Sequence, residues 1–170
     1  MQLEQYIRDI PDFPQKGILF KDITPLLQNP EAYSHAIQTL AEKFTDVEID
    51  CVVGIEARGY VIGAPLAFHL GRGFVPIRKT GKLPWETLQV EYDLEYGTSS
   101  IEVHRDAMSA GDKVLIIDDV LATGGTLEAT IRLVEQAKAT VIGIGLLLEL
   151  EALDGRARLD GYRIETLMSV

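Results

Sequence analysis

Apolar residues recur along this chain in two rhythms, that of a helix and that of a buried strand. Over residues 31–44, Tyr33, Ile37, Leu40 and Phe44 fall at helical spacing behind Pro30 and predict an amphipathic helix. Over 59–70, Val61, Ile62, Leu66, Phe68 and Leu70 leave almost no polar face, so that helix belongs at the centre of the fold or against a second subunit. Leu127, Ile131 and Val134 mark one face of a helix over 125–138, and a short helix is expected over 2–9, stopped near Pro11. Between them, 51–55, 74–77, 114–117 and 140–148 are short apolar runs of strand character, with 162–167 as a weaker fifth.

Strand and helix therefore alternate, and the strands are apolar on both faces. That pattern predicts an α/β fold with a central, mainly parallel sheet flanked by helices. Ligands in such sheets bind beyond the carboxyl ends of the strands. Attention falls on the residues after each strand: Glu56 to Arg58, Arg78 and Lys79, Asp118 and Asp119, and the 122–126 loop. Residues 80–105 break the rhythm with β-type alternation and a turn at Gly97, as expected of a long excursion containing a hairpin, and such loops often act as lids. No repeat or low-complexity linker interrupts the chain, so residues 1–170 are expected to form a single domain.

Charge narrows the partners. Acidic residues outnumber basic ones, 26 to 16, for a formal charge of −10. This argues against non-specific nucleic-acid binding and against anionic membranes, while leaving room for a phosphorylated small molecule held by a few local cations. A single cysteine, Cys51, fits a reducing compartment and packs as a small apolar residue. The opening MQLEQYIRDIPDF lacks the pattern of a signal peptide, and the longest nearly apolar stretch, TVIGIGLLLEL, is too short to span a bilayer; a cytoplasmic setting is expected. His35, His69 and His104 have no metal-ligand spacing. Trp85, after Pro84, could close a site or touch a second subunit.

The chemistry concentrates in VLIIDDVLATGGT, Val114 to Thr126. Ala122, Thr123, Gly124, Gly125 and Thr126 follow a strand and open a helix, offering backbone N–H groups, hydroxyl donors and a positive dipole end to an anion. The GxxxxGK[ST] pattern is absent, and taken alone the segment suits a threonine-capped helix start equally well. Asp118 and Asp119 tip that balance. Carboxylates only accept hydrogen bonds, so they suit a ribose diol or a hydrated Mg²⁺ ion and would repel a bare phosphate. Neighbouring strand residues face opposite ways, so both reach one ligand only where the strand ends and bends. A sugar 5-phosphate satisfies both halves of the motif.

This stretch resembles the signature of the type I phosphoribosyltransferases, which bind 5-phosphoribosyl 1-diphosphate (PRPP), and its LATGGT ending is similar to the adenine-specific branch. Four further segments agree: FPQKGILFKDITPLL (13–27), GIEARGY (54–60), IRKTGKLP (77–84) and YDLEYG (92–97). The resemblance implies the type I phosphoribosyltransferase fold, with a small N-terminal hood near 1–27 and a mobile β-hairpin loop near 80–97. It also implies transfer of the ribosyl 5-phosphate to N9 of adenine, giving AMP and diphosphate, in a homodimer. Mg²⁺ would be held through diphosphate, ribose hydroxyls and water, with no direct protein ligand. By the same resemblance, Arg58, Arg78, Lys79 and Lys82 would take the diphosphate. Asp118, Asp119 and residues Ala122, Thr123, Gly124, Gly125 and Thr126 would take the ribose 5-phosphate. Leu19, Phe20 and Lys21 would meet adenine by stacking and backbone contacts. Glu95 would be the catalytic carboxylate, either assisting proton removal from the purine or stabilising developing positive charge. Glu56 reads as an ion-pair or Mg²⁺-water partner.

Rival expectations are use of another purine, a PRPP-sensing regulator, and a phosphoryl-accepting receiver domain. The GIEARG and LATGGT forms weigh against the first. A net-acidic chain of 170 residues leaves little room for the DNA-binding module of the second. The third has no use for the TGGT loop.

Overall fold

The computed structural model describes residues 1–93 and 97–170. Its centre is a seven-stranded sheet whose strands are β3 (Cys51–Ile55), β4 (Gly73–Lys79), β5 (Thr87–Asp93), β6 (Thr98–His104), β7 (Lys113–Leu121), β8 (Thr140–Glu149) and β9 (Ile164–Ser169). The order is β5-β6-β4-β3-β7-β8-β9. From β4 to β9 neighbouring strands are parallel, and the β5–β6 hairpin extends the edge antiparallel, with Arg78 opposite Glu102 and Lys79 opposite Ile101.

Alternation along the central strands divides the core between the two faces of the sheet. Val53, Ile55, Val114 and Ile116 pack on one side with Leu127, Ile131 and Val134 of α4 (Gly125–Gln136). Val52, Leu115 and Ile117 pack on the other with Leu40 and Phe44, and with Ile62 and Leu66 of α3 (Arg58–Leu70). The helix predicted over 31–44 is α2 (Pro30–Glu42), capped by Asn29, whose side chain accepts from the amides of Glu31 and Ala32 at 3.1 and 2.9 Å. It follows a short α1 (Thr24–Gln28), which the apolar pattern did not indicate. Pro65 lies inside α3 and cannot donate to the carbonyl four residues back; the Tyr33 hydroxyl donates to that Val61 oxygen instead.

The expected helix over 2–9 does not form. A 3₁₀ turn over Leu3–Tyr6 gives way to β1 (Arg8–Pro11), which pairs antiparallel with β2 (Leu19–Asp22). The register sets Arg8 opposite Asp22 and Asp9 opposite Lys21, and both pairs close as ion pairs, at 2.7 and 2.8 Å. Cross-strand charge complementarity thus outweighs a weak helical pattern. The other correction concerns β7. The aspartates do not follow the strand's end: they lie within it, and it continues to Leu121. Residues 80–105 do form a hairpin, with Gly97 at φ +87°, but it is integrated into the sheet through β4–β6 pairing.

Candidate active site

The carboxyl ends of β3, β4 and β7 open into a cavity of about 400 Å³, with β2 on its far side. Leu19, Phe20 and Lys21 line it from β2; Arg58, Arg78, Lys79, Asp118, Asp119, Ala122 and Thr126 line it from the main sheet and its loops. A smaller hollow of about 80 Å³ adjoins it, bounded by Asp118 and by residues 122–127.

Both aspartates reach the cavity although they are strand neighbours. Asp118 is half-buried, and its Oδ1 turns back to accept the Asp119 amide at 2.9 Å. The same carboxylate lies against Gly59, where an added Cβ would stand 3.0 Å from Oδ1. Asp119 is only 4% exposed. Its Oδ2 is 2.9 Å from Arg58 Nε, yet it is a buried oxygen at which no donor among the described residues is properly aimed. The contact is therefore a charge pairing without a directed hydrogen bond, leaving an acceptor available. Burial pushes the Asp118 carboxyl well above the usual range, and the neighbouring Asp119 charge pushes it further. Burial also raises Asp119, while the Arg58 guanidinium pulls it back. Donors from a ligand would relieve both.

Beside this pair, Gly124 at φ +83° turns the chain into α4, whose first-turn residues Gly125, Thr126 and Leu127 line the smaller hollow at the positive end of the helix. A Cβ at Gly124 would come within 2.6 Å of the Gly155 carbonyl, and one at Gly155 within 2.2 Å of the Ala122 carbonyl. The loop is thus clasped from outside by residues near 155, themselves anchored by the Arg156–Glu149 fork at 2.7 Å. Thr126 Oγ1 lies 3.5 Å from the Tyr92 hydroxyl, linking the loop to the hairpin.

On the opposite wall, the Arg58 guanidinium sits 5.0 Å from the Phe20 ring centroid, and Phe13 meets the same ring edge-on at 5.1 Å. Arg78 forks onto Glu56 at 3.2 and 3.3 Å, and Glu56 also accepts the Lys79 amide at 2.9 Å. The Arg78 hydrogen bond holds the Glu56 carboxyl below its usual range. Lys21 is engaged by Asp9.

Among the sequence-predicted residues, Lys82 is not brought to the main cavity; its backbone instead faces Glu102 and Arg78. Thr123, Gly124 and Gly125 line the small hollow, and Glu95 lies outside the described residues. Sequence reasoning missed Tyr92, which lines the cavity, and the buried Glu102. Tyr92 was within reach, since β-type alternation puts it on the same face as the apolar Val90. For Glu102 and Gly155 no local signal existed.

Residues 22–166 match the family model described as the phosphoribosyl transferase domain. The adenine phosphoribosyltransferase of Halothermothrix orenii is 54% identical over 168 residues, covering 99% of each chain. Among solved structures, the adenine phosphoribosyltransferase of Thermoanaerobacter pseudethanolicus superposes with a TM-score of 0.97 at 52% identity, covering 99% of this chain and 98% of that one. The Saccharomyces cerevisiae enzyme, complexed with an imino-altritol bisphosphate and adenine, gives 0.93 at 41% identity, covering 98% and 96%.

Proposed function

The chain belongs to the phosphoribosyl transferase family, in its adenine phosphoribosyltransferase branch, and from that membership we infer how its own residues carry the reaction. The chain transfers the 5-phosphoribosyl group of PRPP to N9 of adenine, giving AMP and diphosphate, a purine-salvage step. The bond from C1 to the diphosphate oxygen breaks, the C1–N9 bond forms, and the N9 proton departs.

The 5-phosphate sits in the small hollow, on the first-turn amides of α4 and the hydroxyls of Thr123 and Thr126. The ribose diol donates to Asp118 and Asp119. The observation that carries this assignment is the buried, unsatisfied Asp119 oxygen at the main cavity together with Asp118, which borders both that cavity and the hollow at the start of α4: acceptors and anion site adjoin, as a sugar phosphate requires. The same acceptor-only pair fits the waters of a hydrated Mg²⁺ ion, which, when bound with PRPP, supplies charge neutralisation for the departing diphosphate.

Diphosphate lies toward Arg58, Arg78 and Lys79, with Lys82 available from the adjoining turn. Arg58 and Arg78 are held by Asp119 and Glu56, so the cations are poised at the site without being buried unpaired. Adenine stacks on Phe20, and the backbone of Leu19 and Lys21 reads its edge. Glu95 acts on the reacting ring or base as the catalytic carboxylate.

The chain works as one domain and as a homodimer in the cytoplasm. Supporting the dimer, Phe68 on α3 is 89% exposed, beside a groove of about 520 Å³ lined by Tyr33, Pro65 and His69. The buried free thiol of Cys51 suits a reducing compartment. Among the described residues no helix is long and apolar enough to cross a membrane.

An assay of nucleotide formation from PRPP, Mg²⁺ and each of adenine, guanine and hypoxanthine tests the function. AMP should form rapidly and the other nucleotides at a small fraction of that rate. Equal use of hypoxanthine would contradict the adenine assignment.

A further inference from the structure

Glu102 is a carboxylate 2% exposed, in a sheet strand, with no part in the reaction as described above. It stands directly opposite Arg78 in the β4–β6 pairing. Its Oε1 accepts the backbone amides of Lys82 and Leu83 at 2.9 and 2.8 Å, and its Oε2 lies 3.4 Å from Gln89 Nε2. Burial opposes its charge, but the amides of Leu83, Gly81 and Lys82 more than offset that, and the carboxyl is held below its ordinary range. The turn it grips carries Gly81 at φ +88° and returns a contact to the site: Arg78 Nη1 donates to the Lys82 carbonyl at 3.2 Å.

A buried charge of this kind is costly unless its partners need it. Here the turn's consecutive amides converge on one carboxylate oxygen, the arrangement by which backbone nests hold anions. The chain spends that nest on an internal anion, which locks the turn that follows the cations Arg78 and Lys79. Without Glu102 the amides would seek water, the Lys82 carbonyl would move, and Arg78 would keep Glu56 as its side-chain anchor.

The geometry points to Glu102 as a positioning residue for diphosphate: it fixes the 80–83 turn so that Arg78 and the neighbouring lysines present their charge to the departing group. This rests on the assignment of Arg78 and Lys79 to diphosphate made above. Diphosphate affinity should therefore depend on Glu102, whereas AMP, which occupies only the base, ribose and 5-phosphate sites, should be indifferent to it.

Titration calorimetry of diphosphate with Mg²⁺, and separately of AMP, on the wild type, Glu102→Ala, Glu102→Gln and Arg78→Ala tests this. Glu102→Ala should weaken diphosphate by about tenfold, equivalent to about 1.4 kcal/mol, with AMP changed by less than about twofold. Glu102→Gln keeps one acceptor oxygen at nearly the same shape, so it should show a smaller loss in the same direction, and it carries the test if the alanine variant does not fold. Loss of both ligands by the same factor, or of neither while Arg78→Ala loses diphosphate, would overturn the role of Glu102. Unchanged diphosphate affinity in Arg78→Ala would instead remove the diphosphate assignment beneath it, and the inference would fall with it.

Discussion

Gly155 stands so close to the Ala122 carbonyl that a Cβ on it would lie 2.2 Å from that oxygen. Backbone from beyond β8 therefore forms the outer wall of the loop that opens α4, and the loop cannot relax outward. The reciprocal approach, Gly124 on the Gly155 carbonyl, makes the clasp mutual.

Gly155→Ala should displace this loop. Overpacking of this kind costs about 1–3 kcal/mol, and the damage should fall on the phosphate end of the substrate. Steady-state kinetics should show KM for PRPP rising several-fold more than KM for adenine, with thermal unfolding showing a moderate loss of stability. An equal rise in both constants would separate the clasp from phosphate binding.

Asp118→Asn combined with Asp119→Asn should weaken PRPP binding by at least about tenfold, because charge-assisted hydrogen bonds to a diol become neutral ones. Calorimetry reads this directly, and unchanged affinity would remove the diol role.

The same double variant should alter how stability varies with pH in the absence of ligand. Burial raises both carboxyls above the ordinary aspartate range in the folded state, so the folded state holds their protons more tightly than the unfolded one. The stability this confers is full below about the unfolded value and is lost as pH rises through the folded values. Denaturant unfolding at a series of pH values upward from 4 should show wild type losing ground to the asparagine variant as pH increases. A constant difference across the series would show that these groups titrate alike in both states.

Glu95→Ala should reduce kcat by about a hundredfold or more, the usual scale of a lost acid–base or charge-stabilising group, with little change in adenine affinity. Single-turnover kinetics with an adenine titration separates the two effects. A normal kcat would exclude Glu95 from the chemistry.

Phe68→Lys places a charge on the exposed face of α3 and should convert a dimer to a monomer, as read by light scattering on a sizing column. Identical masses for wild type and variant would put the subunit contact elsewhere.

How far the sequence carried the fold can be seen element by element. The α/β architecture was readable because β3, β7 and β8 are apolar on both faces and α2 and α4 have clear helical stripes. The N-terminal segment was not: Arg8 and Asp9 become strand residues only through partners at Asp22 and Lys21, which local periodicity cannot register. Asp118 and Asp119 both line the cavity, yet not at a strand end as the sequence suggests: β7 runs on past them, and the turned-back Asp118 side chain and a common cavity bring them together. Glu56 forms the ion pair that its sequence setting suggests, but the partner, Arg78, lies 22 residues away and is not identified by local sequence. Glu102 and Gly155 act through backbone contacts made by the folded sheet, so no residue type at any spacing announces them.

The proposed reaction depends on one arrangement, in which the aspartates of β7 would hold the ribose hydroxyls while the start of α4 would hold the 5-phosphate. A crystal structure of the protein with AMP tests it most directly. The nucleotide should lie with its ribose 2′- and 3′-hydroxyls within hydrogen-bond distance of Asp118 and Asp119, its phosphate against the amides of residues 123–126 and its base on Phe20. AMP bound at another surface, with the 122–126 loop empty, would contradict it.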